Sequence, residues 1–182
     1  MSSKKLQYFL YLLSIAGFIC LQWYAKDASN ESLKWMLKPV SIGVSMFTDL
    51  SFSFNTELGY IAENHVFTIE KSCAGINFFS IAFLIVVFSF LNHFPQPVYK
   101  LLAFGNFLIL TFVITIIVNV CRIVIAVQLL TLGEKWSILA SDKMHTIQGT
   151  IFYCTFLLLY YLGIHYFLKF QKNKISHSSD NA

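Results

Sequence analysis

Long apolar runs, not alternation, dominate the pattern of this chain. Three stretches carry no formal charge over about the 20 residues that a membrane-crossing helix needs. They are 6–25, which follows Lys4 and Lys5; 101–122, which reads LLAFGNFLILTFVITIIVNVC before Arg122; and 146–168, which ends against Lys169. A fourth stretch, 75–91 (GINFFSIAFLIVVFSFL), sits at the short end of the spanning range, about 17 residues. After it, His93, Pro95 and Pro97 mark a tight turn into the next run. Segment 33–50 behaves differently, with Lys34, Lys38 and Asp49 along it and Pro39 near its start. Its Trp35, Leu37, Val40, Val44 and Phe47 recur at helical spacing. That suits a helix lying in the interface better than one crossing the core, a shallow or re-entrant path being the alternative. The pattern predicts an all-α, polytopic membrane helix bundle: about four transmembrane helices plus an interfacial or re-entrant helix. One domain covers 1–175, and the polar end 176–182 reads as a disordered cytoplasmic tail.

Composition agrees with the pattern. Of 182 residues, 57% are hydrophobic, 17% aromatic and only 12% charged, with a mean hydropathy of +0.65. Soluble domains carry about 25% charged residues, and a chain this short cannot hide so much apolar surface from water. The net charge of +4 is small and dispersed, which argues against a nucleic-acid binder. The basic start before an apolar run has the look of a signal peptide. That run is longer than a usual h-region, however, and no small-x-small cleavage site follows, so it reads as a retained anchor. With four spans both termini share a side, which holds Lys4, Lys5, Lys100, Lys169, Lys172 and Lys174 in few residues. The denser basic side is expected to be cytoplasmic. The loops at 26–74 and 132–144 are then extracytoplasmic.

Three reactive residues fall at one membrane depth under this reading. Cys73 lies just before the second span. Arg122 follows Leu101 by 21 residues, roughly 32 Å of helix and one hydrocarbon thickness, so it arrives at the face the second span leaves. His145 opens the last span at that same face. A cysteine at a helix start is favoured as the thiolate, and cations lower its pKa further. Gly75 would let a substrate backbone come close. A histidine can take the thiol proton and return it to a leaving amine, and an arginine can stabilise an oxyanion or hold a carboxylate. Asn119 lies three residues before Arg122 on the same helix face, which favours a polar site inside the bundle. Together these groups suit acyl transfer through a thioester.

Each also has a plainer reading. Cys20, Cys121 and Cys154 are the small hydrophobes common in spans, Arg122 alone could snorkel to headgroups, and His145 alone could be interfacial. An oxidising compartment also permits a disulfide between Cys73 and Cys121. The chain has no C-x-x-C pair, no H-E-x-x-H and no G-x-S-x-G, so thiol oxidoreductase, metalloprotease and serine-hydrolase chemistry have no motif, and no cofactor or metal is expected. Glu57, Glu63 and Glu70 in the large loop read as a solvated face, or as a surface for a positively charged acceptor or substrate.

Three short motifs sharpen the picture. IEKSCAGINFF (69–79) resembles the cysteine motif of the exosortase/archaeosortase family, NVCRI (119–123) its N-x-x-R element, and HTIQG (145–149) its histidine element. They occur in family order, each at the end of a span, and the resemblance covers about 33–168. By length the chain resembles a short, single-core member of the exosortase K type. The resemblance implies a membrane cysteine protease or transpeptidase, with Cys73 as nucleophile, Arg122 as electrostatic stabiliser and His145 as acid and base. It implies exported, membrane-anchored substrates with a C-terminal sorting signal: a short motif, a transmembrane helix and a basic cluster. The acyl-enzyme would pass to an amine or lipid-linked acceptor, or to water. Ala74 stands where serine is commoner in the family. The competing expectation is a non-enzymatic membrane assembly or scaffold protein whose aromatic helices bind partner spans. A transporter or channel subunit is weaker, because no acidic or paired ionisable residues lie at mid-membrane.

Overall fold

The computed structural model describes residues 2–63, 67–133 and 142–179, with the side chains of 2–63, 67–128 and 149–170. In chain order the elements are α1 (Ser3–Asp27), α2 (Lys34–Phe47), β1 (Phe52–Asn55), β2 (Gly59–Ala62), β3 (Thr68–Ile69), α3 (Ile76–Phe90), α4 (Pro97–Gly133) and α5 (Asp142–Ser179). Single turns of 3-10 helix at Lys71–Cys73 and Leu91–His93 bracket α3. Among the described residues four helical stretches are long and apolar enough to cross a bilayer: Ser3–Asp27, Lys71–His93, Pro97–Gln128 and Gly149–Phe170. The fold is an all-α multi-pass membrane bundle, as the apolar runs predict.

The central helix is α3. Eight of its 15 residues are buried, against two of the 25 in α1. It packs on α1, α4 and α5, and its Phe78, Phe83, Val87 and Phe90 meet Leu10, Phe107, Tyr160 and Ile164 in one apolar cluster. The outer helices turn Phe9, Leu12, Ile19, Ile109, Leu158 and Phe167 outward, a surface that only hydrocarbon satisfies. Hydroxyls inside the bundle are closed locally. Ser14, Ser80, Thr111 and Thr115 donate back to carbonyls four residues earlier at 2.6–2.8 Å. Polar bonds also clip helix to helix. The Gln22 amide donates to Ser80 Oγ at 2.9 Å, Lys100 Nζ to Gln7 Oε1 at 2.6 Å, and the Thr111 and Tyr160 hydroxyls share a bond of 2.8 Å. Lys100, expected among the free basic residues, is therefore a buried tie between α4 and the start of α1, 3% exposed.

The end of the bundle near Cys73 holds what hydropathy alone leaves open. α2 has 14 residues, about 21 Å, too short to cross. Nor does it lie flat across the bundle: Trp35 stacks on Phe112 at 5.8 Å and Gly43 abuts Val120, so α2 runs beside α4 in the same direction. Met36, Leu37, Val40 and Val44 face inward, and Trp35, Ile42, Met46 and Phe47 face out. Beyond it the large loop folds into a three-stranded antiparallel sheet in the order β1-β2-β3, an element the sequence reading lacks. The β1–β2 turn forms because Asn55 Oδ1 accepts the N–H groups of Glu57 and Leu58, and because Gly59 takes φ 89°. α2, the sheet, the Cys73 turn and α4 share a second apolar cluster that includes Leu33, Val40, Tyr60, Ile69, Cys73 and Ile123.

Two helices outrun the expected spans. α4 passes Arg122 by three turns to Gly133, so Arg122 lies within the helix and not at its end. α5 continues to Ser179, so 176–179 is helical and not part of a disordered tail; 180–182 lies outside the described residues. A helix once nucleated in lipid propagates readily into its polar flank, and Lys169, Lys172 and Lys174 near the α5 C-terminus suit the macrodipole.

The α2–α4 contact depends on a missing side chain. A Cβ on Gly43 would lie 2.5 Å from Val120 Cγ2, a branched side chain with little rotamer freedom. Gly43→Ala is expected to destabilise the protein by about 1–3 kcal/mol through overpacking. Gly17→Ala and Gly105→Ala, with open space at both positions, are expected to cost nothing, all three variants being compared by thermal melting in detergent.

Candidate active site

The Cys73 turn is fixed by backbone chemistry. Residues 71–73 make a single 3-10 turn in which the Cys73 N–H donates to Glu70 O at 2.8 Å and the Ala74 N–H to Lys71 O at 3.1 Å. Gly75 then takes φ 71°, which reverses the hand of the chain and starts α3 on a new axis. From the sheet side, Asn30 staples the turn: its Oδ1 accepts the Lys71 N–H at 2.8 Å while its Nδ2 donates to Glu57 O. Cys73 is thus held one turn before the α3 N-terminus, whose first N–H groups have no partner within the helix. Its Sγ lies 3.8 Å from Ser72 Oγ, and the Ser72 hydroxyl donates to Glu70 Oε1 at 3.0 Å. The thiol is 4% exposed and packs in the second apolar cluster.

α4 brings the two polar residues of N-x-x-R to this turn. Asn119 is fully buried, and its Oδ1 accepts the Tyr153 hydroxyl at 2.8 Å. Its Nδ2 reaches the backbone of Gly75 so closely that any Cβ there would collide with it. That amide nitrogen has no hydrogen-bond partner among the described residues. Leaving such a donor unpaired costs about 1–3 kcal/mol. Arg122, the only arginine in the sequence, is 9% exposed and lays its guanidinium over the Tyr153 ring, 5.2 Å from the centroid. Its Nη1 and Cδ pass 3.4 and 3.9 Å from where Gly149 would carry a Cβ, so Gly149 opens the slot the arginine fills.

Tyr153 joins these parts. It bonds Asn119, carries Arg122 and packs on Phe78 at 5.4 Å. It also walls a cleft of about 510 Å³ between the end of α1 and the start of α3. Gln22, Lys26, Glu70, Lys71, Ser72 and Asn77 supply the polar part of the cleft wall, with Gly75 at its edge. The cleft therefore runs past both neighbours of the Cys73–Ala74 pair, and the thiol sits back from it.

Of the residues predicted for the site, Asn119 and Arg122 meet one tyrosine, and Asn119 lies against Gly75, two residues after Cys73. His145 lies in the first turn of α5, and its side chain is outside the described residues. His145, Gly149 and Tyr153 follow one another at intervals of four along a single helical stripe. That spacing is the signal that could have drawn Gly149 and Tyr153 into the site. Asn30 gives no such signal, being one polar residue in a polar loop. Cys73 and Cys121 are both free thiols, so the disulfide alternative is not realised.

No protein-family model, curated protein or solved structure matches the chain.

The close approach of Asn119 to Gly75 can be weighed by substitution. Gly75→Ala places a side chain in the left-handed region, at about 1–2 kcal/mol, and against the amide, at about 1–3 kcal/mol more. In an Asn119→Ala background the second cost is expected to vanish and the first to remain. A double-mutant cycle read by thermal unfolding should give a coupling of at least about 1 kcal/mol.

Proposed function

We propose that the protein is a membrane-embedded cysteine protease or transpeptidase acting on exported proteins that carry a C-terminal sorting signal. The observation that carries this reading is the convergence of Asn119 and Arg122 on Tyr153, with Asn119 against Gly75 two residues after Cys73, beside a cleft at one end of the bundle. A scaffold has no need for a buried guanidinium and a buried amide next to a thiol at a helix N-terminus. The resemblance of the three motifs to the exosortase/archaeosortase family supports the same conclusion, and it supplies the class of substrate.

In this reading the Cys73 thiol gives up its proton to His145 and its sulfur attacks the scissile carbonyl of the substrate. Arg122 offsets the negative charge that develops on the carbonyl oxygen. Collapse of the tetrahedral intermediate breaks the C–N bond, the leaving amine takes the proton from His145, and the C-terminal transmembrane helix is released into the bilayer. The thioester then passes to an amine, a lipid-linked acceptor or water. The basic distribution supports a cytoplasmic face at the termini and a site at the extracytoplasmic face, and the family resemblance supports a prokaryotic inner membrane. A substrate held in the bilayer by its own helix meets such a site at its juxtamembrane segment without leaving the membrane.

Burial of the thiol in an apolar cluster favours the second reading, an assembly or scaffold protein in which Cys73 only fills space. The two part on one experiment. Cys73→Ala should leave the protein folded in membranes and abolish cleavage of a co-expressed protein bearing a motif, a transmembrane helix and a basic cluster. Undiminished processing by that variant excludes the protease reading.

Arg122→Lys keeps the charge and loses the planar group that stacks on Tyr153. It is expected to lower processing by about 100-fold or more while the protein still accumulates. Loss of accumulation in place of activity would favour the scaffold.

A further inference from the structure

We propose that the side-chain amide of Asn119 is a catalytic hydrogen-bond donor, serving the oxyanion that forms when Cys73 attacks a carbonyl. The proposal rests on the protease reading above and assigns one further group to it. Three observations lead there. Asn119 is fully buried and its Nδ2 has no partner among the described residues, while its Oδ1 is held by the Tyr153 hydroxyl at 2.8 Å. The amide is therefore turned in one direction with its free N–H groups toward the start of α3. It points at Gly75, two residues after the nucleophile, where the lack of a side chain leaves room for it.

The third observation concerns the donors an enzyme of this kind would otherwise use. Oxyanion holes are often built from backbone N–H groups. At this turn the N–H of Cys73 is bonded to Glu70 O at 2.8 Å, and that of Ala74 to Lys71 O at 3.1 Å. Both are spent inside the 3-10 turn that holds the cysteine in place. An oxyanion at Cys73 is then left to the N–H groups that open α3 and to side-chain donors. Asn119 Nδ2 is such a donor, fixed before substrate arrives and screened from water. Arg122, one helical turn further along α4, adds positive charge on the same side. An amide donor left without a partner in the resting protein is one kept for a group that appears only during the reaction.

The test separates attack on a carbonyl from nucleophilicity as such. With p-nitrophenyl acetate, the Cys73 sulfur bonds to the carbonyl carbon and the carbonyl pair moves to oxygen. Collapse then expels p-nitrophenolate and leaves an acetyl thioester, the thiol proton having gone to solvent. With iodoacetamide, sulfur displaces iodide and no oxyanion forms. Full-length protein in detergent is treated with each reagent, and modification at all four cysteines is followed by mass spectrometry. Asn119→Ala is expected to slow acetylation of Cys73 by about 100-fold or more and to leave its alkylation rate unchanged. If Asn119→Ala does not accumulate, Asn119→Leu fills the volume without a donor and should behave the same way. Equal loss of both reactions would mean that Asn119 only shapes the turn, and an unchanged acetylation rate would also overturn the proposal. If Cys73 of the unsubstituted protein is acetylated no faster than the exposed Cys20 and Cys154, the nucleophile reading itself fails, and the role of Asn119 with it.

Discussion

The upper end of this bundle is organised by one contact, the approach of α4 to the start of α3 through a position with no side chain. Gly75 must take a left-handed φ of 71° for the 3-10 turn to hand over to α3. The same absence of a Cβ lets the Asn119 amide lie against its backbone. One glycine therefore satisfies a conformational demand and a packing demand at once. Everything near Cys73 follows from that closeness. Asn119 at this depth meets Tyr153 of α5, and Arg122, one turn on, falls over the same ring. Gly149 and Gly43 extend the principle, because each lets a neighbour reach backbone where a larger residue would hold the helices apart.

Two mechanisms fix the geometry, and they are separate. Backbone bonds fix the cysteine: the 3-10 pair, and Asn30 binding both Lys71 and the β1–β2 turn. Side chains from α4 and α5 deliver the polarity. Polar groups inside a membrane bundle are costly unless satisfied, and here most are satisfied at home. Hydroxyls return to carbonyls in their own helix, and Lys100 finds Gln7 and the Ser3 carbonyl. Against that background the exception stands out. Asn119 Nδ2 is the buried side-chain donor that finds no partner among the described residues, and it sits beside the one cysteine of the four that is buried.

Much of this was legible in the sequence, for a physical reason. A membrane helix must satisfy its own backbone and turn apolar groups to lipid, so uncharged runs of sufficient length identify the spans directly. Depth then follows from span length, and it places Cys73, Asn119 and Arg122 at one end. The sheet was not legible, because strands of two to four residues leave too short a trace to set against loop. The F-S-F-N alternation with an Asn and a Gly around the turn is visible mainly in hindsight. The path of α2 was ambiguous because an amphipathic pattern shows that one face is buried, not what buries it. Here a helix covers it, not the membrane interface. The ends of α4 and α5 were misjudged because hydropathy marks where lipid stops and helix propensity does not stop with it.

The contact with Tyr153 also explains how a lone arginine is held in an apolar bundle. Arg122 has three compensations that the sequence pattern does not show: the face of an aromatic ring, a slot without a Cβ at Gly149, and a position close to a cleft wall. An acidic partner would hold the guanidinium more firmly, but it would also cancel the charge. A ring holds the guanidinium by its face and leaves its positive charge in place. Asn119 follows the same logic from the neutral side, since its oxygen is engaged by Tyr153 and its nitrogen is not. One tyrosine thus fixes an amide and a guanidinium while leaving the donors of the first uncommitted. That arrangement differs from a packing motif, in which each polar group would be bonded in both directions. It makes Tyr153, a residue that no motif singles out, the physical link between the helix carrying the polar pair and the helix that begins near His145.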